Sequence, residues 1–344
     1  MDFDIRDVEP VVSVSLITFN HAAYIRECLD SLLGQDTDFP YEICLGEDES
    51  SDGTREICID YAKKHPDRIR LILRSQSEPG REKFRSQGVY NFIETCRDCR
   101  GKYQAICDGD DAWIDPLKLQ KQFDIMQNDP SISLVHSDFD IYAEATGQRV
   151  RNSIKTRGAS QSVVPDSAKF RCQIILRDYE VVSSSTFVKT ADLLDIFEKN
   201  MDLFRVLPMG DIPVWCELLN YGTFYFIDES LCLYRLLPES DSNSNSARKR
   251  FEFINGASNL GIIFGSKYDL PMDVLRSEKI KSCNRYALLS GDRAEIDKLY
   301  ADSRFRFSFP EQVIYHAGRL RPIRPLSKFF FELRYNINNH RLSA

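Results

Sequence analysis

Three carboxylates crowd one glycine in Asp108-Gly109-Asp110-Asp111, and the apolar run Ala105-Ile106-Cys107 leads straight into them. Such a run can be buried as a strand. Three acids at its end cannot be buried as anions without a cation or solvent. Closely spaced carboxylate oxygens suit a hard divalent ion such as Mg2+ or Mn2+, and an ion of that kind commonly carries a diphosphate. The string reads equally well as an acidic turn, because Asp and Gly are frequent turn residues. Turn and metal site therefore stay open until the rest of the chain is considered.

The elements that must position these acids alternate in type. Residues 11–18 form a β-branched run that reads as a first strand, turned by Phe19-Asn20-His21 into a helix bearing Tyr24, Leu29, Leu32 and Leu33 that ends near Gly34. A second strand at 41–46 runs into the polar loop Glu47 to Thr54, where Asp52 or Thr54 can cap the next helix. A third strand follows at 69–73, then a polar loop at 75–88 that reads as mobile, a helix with Val89, Phe92 and Ile93, and the strand that ends in the acids. Asp115-Pro116 suits the start of another helix, Trp113 a packing anchor, and Ile132 to His136 a further strand whose histidine reads as a core residue. Beyond a polar excursion at 143–168, segments 170–176 and 187–200 read as helices, Met209 to Trp215 precedes a helix reaching Leu219, and 223–227 and 230–236 read as two strands. The alternation predicts an α/β domain with a mostly parallel sheet covered on both faces. Ligands bind beyond the C-terminal ends of such strands. Three of those ends carry Thr18-Phe19-Asn20, Glu47-Asp48 and Asp108 to Asp111, and a parallel sheet brings them to one edge. Neither glycine-rich phosphate motif, G-x-G-x-x-G or G-x-x-x-x-G-K-[ST], follows the first strand. A phosphate-holding task therefore falls to a metal.

Bulk properties narrow the class. The net charge of −7 over 344 residues argues against a general nucleic-acid partner. No apolar stretch approaches the length of a membrane span, and the acidic start Met1 to Asp7 does not read as a signal peptide, so a cytoplasmic protein is expected. The ten cysteines follow no framework, and Cys96-Arg97-Asp98-Cys99 lacks the second pair that zinc would need. The Ser/Asn tract at 240–246 has linker composition, which divides the chain into residues 1–240 and a mainly helical region 241–344. Between Gln312 and Ala344, Arg319, Arg321, Arg324, Lys328, Arg334 and Arg341 face one acid, Glu332, and Phe329-Phe330-Phe331 lies among them. That pattern fits either a packed terminal helix or a peripheral contact with the inner face of a membrane.

In order, spacing and residue type, Val14 to Asn20, Glu47 to Thr54 and Asp108 to Asp111 resemble the family 2 glycosyltransferases, with their T-[FY]-N strand end, D-D-x-S-x-D-G-T loop and D-x-D. The likeness is strong over residues 11–140, weaker through Gly210-Asp211 and Tyr234-Arg235, and stops near residue 245. It implies the GT-A fold, a nucleotide-sugar donor (a UDP-sugar), an acceptor that is a glycan or lipid-linked glycan, and inversion at the anomeric carbon in surface-polysaccharide assembly. Carried over by motif, Thr18 and Asn20 border the nucleotide pocket with Phe19 beside the base. Glu47 and Asp48 belong to that pocket, Asp48 accepting from the base. Asp108, beside Gly109, contacts ribose and sugar, and Asp110 with Asp111 ligates Mn2+ or Mg2+. Asp211 matches the catalytic base and Arg235 a position near the diphosphate. By itself Asp211 would also serve as a helix cap. Glu47 stands where relatives often have Asp, and Leu236-Leu237-Pro238 replaces a histidine that many relatives carry two residues after the Tyr-Arg pair. Two other functions compete: a catalytically inactive sugar-nucleotide or glycan-binding protein, and a nucleotidyltransferase, which would usually show a basic glycine-rich loop in place of Thr18-Phe19-Asn20-His21.

Overall fold

The computed structural model describes residues 9–157, 167–238 and 246–317. The chain divides into two compact units, Met1–Leu236 and Leu237–Ala344. The boundary expected at residue 240 falls outside the described residues, as do the basic terminal segment and residues 158–166 of the polar excursion.

The first unit opens with the expected alternation: β1 (Val12–Thr18), α1 (Ile25–Leu33), β2 (Tyr41–Glu47), α2 (Thr54–Lys64), β3 (Ile69–Leu73), α3 (Gln87–Asp98) and β4 (Tyr103–Asp108). It continues through β5 (Ala112–Trp113), α4 (Lys118–Asn128), β6 (Ile132–Ala143), β7 (Gln148–Val150), α5 (Ser153–Thr156) and α6 (Ser167–Leu176). It closes with β8 (Phe187–Lys189), α7 (Thr190–Val206), α8 (Asp211–Leu218) and β9 (Thr223–Leu236). All nine strands join one sheet in the order β3-β2-β1-β4-β8-β6-β9-β5, with β7 on β6. Strands β3, β2, β1 and β4 are mutually parallel, and β6 runs parallel to β9. The register sets Thr18 opposite Glu47 and Ile17 opposite Asp108, so the three motif-bearing ends do meet at one edge. Val12, Val14 and Leu16 are fully buried on one face of β1, and Ser13 and Ser15 are buried on the other. Cover on both faces is what a parallel sheet requires.

Four local expectations change. Phe187 to Lys189 is a short strand, antiparallel to both β4 and β6, and the helix expected there begins at Thr190. The β-branched and aromatic pair Phe187-Val188 is completely buried in that sheet, which outweighs its fit to the helical pattern. The strands expected at 223–227 and 230–236 are one strand, β9, whose register against β6 shifts near Ser230. The loop 75–88 is pinned by a turn at Arg81–Lys83 whose Arg81 is 1% exposed. Asp115 caps a turn ahead of α4, accepting from Leu117 N at 2.7 Å, and α4 itself starts at Lys118.

The second unit contains α9 (Ala247–Lys267), α10 (Met272–Ser290), α11 (Ala294–Ala301) and α12 (Phe309–Ala317). Its core joins Ile280, Cys283 and Ala287 of α10 to Ile296 and Leu299 of α11 and Tyr315 of α12. The Tyr300 and Tyr315 rings stack 3.9 Å apart. No helix among the described residues is long and apolar enough to cross a membrane.

Lys118 is completely buried at the start of α4. Its Nζ donates to Gln122 Oε1 at 2.8 Å and lies 4.0 Å from the centre of the Trp113 ring. Burial pulls its amine down to about 8. Below that value both folded and unfolded states carry the proton. Between it and the ordinary lysine range only the unfolded state does, so this residue adds stability as pH rises through the window. Lys118→Met removes that slope. Comparing urea unfolding of the two proteins at pH 7 and pH 10, the wild type should gain on the order of 2–3 kcal/mol relative to the variant. Parallel curves at both pH values would show that the amine is not forced toward neutrality.

Candidate active site

The turn after β1 and the loop after β2 are laced together by their own polar side chains. Thr18 is buried, Phe19 is 47% exposed, and Asn20 adopts left-handed backbone at φ 54°, a conformation that Asn tolerates better than most residues. Asn20 N donates to Ser50 Oγ at 2.9 Å, and Asn20 Oδ1 accepts from Ser51 N at 3.0 Å. Asp52 accepts from Ala22 N at 2.9 Å and from Thr54 N at 3.0 Å, so it serves turn and helix start at once. His21 N donates to Thr54 Oγ1 at 2.8 Å.

Glu47 and Asp48 each have an arginine partner within the chain. Glu47 is fully buried, pairs with Arg55 and accepts from Ser50 N at 2.8 Å. Asp48, 3% exposed, holds both terminal nitrogens of Arg81 at 2.6 Å. The Arg81 guanidinium also lies 5.1 Å from the Tyr90 ring centre. A buried carboxylate is tolerable when a bidentate arginine matches it. Arg81 is the residue that sequence reasoning missed here, because it sits in a loop that looked merely polar.

The acid loop is shaped by Gly109. Its N–H donates to Ile17 O at 2.8 Å, and a Cβ placed there would lie 2.5 Å from Thr18 Oγ1 and 3.0 Å from His21 Nδ1. Any side chain would push the acids away from β1. Asp111 turns inward and is 2% exposed, accepting from Ser184 Oγ at 2.5 Å and from Arg235 N at 2.9 Å. Ser184, itself completely buried, also accepts from Asp108 N at 3.3 Å and, through its carbonyl, from Trp113 Nε1 at 3.0 Å. The three-serine turn 183–185 thus clasps the acid loop, a task with no signal in the sequence beyond hydroxyls in a link.

Asp108 and Asp110 keep part of their surface open to solvent. Burial, then the charges of Asp110 and Asp211, push the Asp108 carboxyl up to about 8. Burial, then Asp110 and Asp108, raise Asp111 well above the usual carboxylate range. Asp211 begins α8 behind Gly210, where a Cβ would meet the Phe92 ring at 2.8 Å. It is the first helical residue and not the cap. Burial raises it too, against the Ile212 N–H and the Arg177 charge. The Tyr234 phenol is raised by burial and then by Asp111, Asp110, Asp108 and Asp211 in turn. Four carboxylates from two distant segments therefore act on one phenol.

Arg235 is buried beside them, its guanidinium paired with Glu27 of α1 and, at 2.9 Å, with Glu144. Among the described residues no three His, Cys, Asp or Glu side chains converge as a metal cage. The half-open Asp108 and Asp110, all oxygen and short of positive charge, still fit a hard divalent ion with an incomplete protein shell. Asp111 fits less well, since its oxygens already accept from Ser184 and Arg235.

Residues 13–175 match the family model for glycosyl transferase family 2. Those residues, just under half of the chain, are similar to glycosyltransferase family 2. An uncharacterised protein of Mycobacterium tuberculosis (strain H37Rv) is 38% identical over 124 residues, 36% of this chain and 33% of its own length. The chain thus spans about a third of the length of the mycobacterial relatives it matches. TuaG of Bacillus subtilis (strain 168), a glycosyltransferase provisionally assigned to teichuronic acid biosynthesis, is 26% identical over 252 residues, 72% of this chain and 87% of that one. The mannosyltransferase PcManGT of Pyrobaculum calidifontis, solved with GDP-Man and Mn2+, superposes with a TM-score of 0.53 at 16% identity, covering 98% of this chain and 89% of that one. That likeness carries the fold, which is GT-A.

Ser184 is the support that can be removed most cleanly. Ser184→Ala leaves the buried Asp111 without its hydroxyl donor, and we expect a loss of about 1–3 kcal/mol in denaturant unfolding, with Cm lower and m preserved. Wild-type stability in that variant would mean that the clasp does not hold the acid loop.

Proposed function

We propose that this family 2 glycosyltransferase moves a sugar, with inversion, from a nucleoside diphosphate donor to an acceptor hydroxyl, and that the donor is a UDP-sugar. The observation that carries the reading is that Asp211, far away in the chain, lies near enough to the Asp108 to Asp111 loop for its charge to act on Asp108 and, with those of the loop, on Tyr234. A base for the acceptor and a site for the donor's phosphates are then neighbours.

Asp211 takes the proton of the acceptor hydroxyl as its oxygen attacks the anomeric carbon, and the bond from that carbon to the diphosphate oxygen breaks. One displacement inverts the centre and needs no covalent intermediate. Asp110, with Asp108 beside it, would hold Mn2+ or Mg2+, which when bound supplies positive charge to the departing diphosphate. Arg235 adds a second positive group on the same side. Asp111 keeps the loop in shape through Ser184 and the Arg235 backbone. Phe19, exposed at the end of β1, is available to stack on the base. PcManGT, with its GDP-Man and Mn2+, supports nucleotide-sugar and metal use, and TuaG supports an acceptor in a surface polysaccharide. An acceptor on a lipid carrier would suit peripheral membrane contact through the basic terminal segment, which lies outside the described residues.

Release of UDP and GDP from a panel of nucleotide sugars with Mn2+ or Mg2+ identifies the donor, and turnover of GDP-sugars alone would reject the uridine assignment. On that donor Asp211→Asn should lower kcat by roughly 10²–10⁴-fold while nucleotide binding persists; an undiminished rate would remove Asp211 as base. Asp110→Ala should abolish the Mn2+-dependent part of nucleotide binding, measured by calorimetry with and without EDTA. Binding that stays metal-dependent in the variant would reject Asp110 as the ligand.

A further inference from the structure

The Arg235 guanidinium is held in an unequal grip. Glu144, at the end of β6, takes Nη1 at 2.9 Å with its side chain 23% exposed. Glu27, on α1, takes Nη2 with its side chain 60% exposed. The third donor, Nε, is buried and meets no acceptor among the described residues. The Tyr24 and Tyr142 ring centres lie 5.4 Å and 5.8 Å from the guanidinium carbon and limit its movement. The backbone N of the same residue is tied to Asp111 at 2.9 Å, which fixes the guanidinium beside the acid loop.

Arginine presents a planar fork whose paired N–H groups match one carboxylate or phosphate side-on. Here the fork is split between two glutamates, and the buried Nε–H is left without a partner among the described residues. A buried unmatched donor is costly, and a ligand with several oxygens could satisfy Nε and Nη2 together. The two glutamates are not equally replaceable. An exposed carboxylate returns to water with little loss, whereas a mostly buried one does not. On the reading that Arg235 faces the donor diphosphate, we propose that Glu27 is a displaceable stand-in for the phosphoryl oxygens at Arg235, and that Glu144 is the lasting anchor. Glu27 thereby sets donor affinity: each binding event must exchange its carboxylate for phosphate oxygens, and its released charge stays close to the diphosphate. Its cost in affinity keeps the empty site closed on its own side chains.

The test is a double-mutant cycle read by calorimetry, with UDP and GDP in the presence of Mn2+ as probes and uridine and guanosine as controls lacking phosphate. Glu27→Gln should bind the preferred diphosphate roughly two- to fivefold more tightly, with nucleoside affinity unmoved. The gain should vanish in the Arg235→Ala and Arg235→Lys backgrounds. No gain in Glu27→Gln, an equal gain in Glu144→Gln, or a gain that survives loss of Arg235 would each overturn the stand-in role. If Arg235→Ala itself binds the diphosphate as the wild type does, the placement of Arg235 at the donor fails, and the stand-in fails with it. Weaker binding by that variant combined with no gain from Glu27→Gln leaves the donor reading intact and removes only the role of Glu27.

Discussion

Repulsion among carboxylates at one edge of a parallel sheet is the constraint around which this site is built. The charges of Asp110 and Asp211 act on Asp108, and those of Asp110 and Asp108 act on Asp111, which is sealed from solvent. Two unit charges a few ångströms apart in a poorly solvated setting repel by several kcal/mol. A loop carrying three acids would swing outward to escape unless it were fastened. Three fastenings oppose that: the Gly109 N–H on the β1 carbonyl, Ser184 on Asp111, and the Arg235 backbone on the same carboxylate. Each one uses a group that carries no formal charge at the point of contact. The loop is therefore held by groups that bring no countercharge, so its acids stay unmatched.

The same economy appears in the loops around it. Asn20, Ser50, Ser51, Asp52 and Thr54 form side chain to backbone hydrogen bonds that join two turns into one rim. Such bonds compete with regular structure and so concentrate at turns. Their residues look like ligand contacts in a motif, yet much of their work is to hold the rim rigid. Rigid support of this kind lets a site keep its geometry through binding.

What could be read from the sequence follows from how local each feature is. Strands β1, β2 and β4 are rich in apolar and β-branched residues, and the polar strings at their ends are visible, so the edge that gathers them could be inferred. Phe187 to Lys189 could not, because three residues of strand are shorter than any period and only β4 and β6 on either side make them one. The joining of 223–227 and 230–236 depended on β6 carrying the pairing across the irregularity. Arg81, Ser184 and Glu27 were invisible for a common reason. Their partners Asp48, Asp111 and Arg235 lie 33, 73 and 208 residues away, and nothing in their own neighbourhoods marks them.

Pairing, and not acidity, is what separates the carboxylates of this edge into two kinds. Glu47 has Arg55 and Asp48 has Arg81, each in a tight ion pair, and neither needs anything further. Asp108 stands among like charges and is driven toward its protonated form. A motif that lists all of these as acids treats them alike. Only the arrangement of arginines divides them. An acid whose charge is already matched gains little from an incoming cation, because the cation must first displace an arginine. An acid raised by its neighbours gains the whole of the repulsion it sheds. On the proposed function a divalent ion would be drawn to Asp108 and Asp110 and not to the paired acids, because at Asp108 it would relieve the repulsion of like charges.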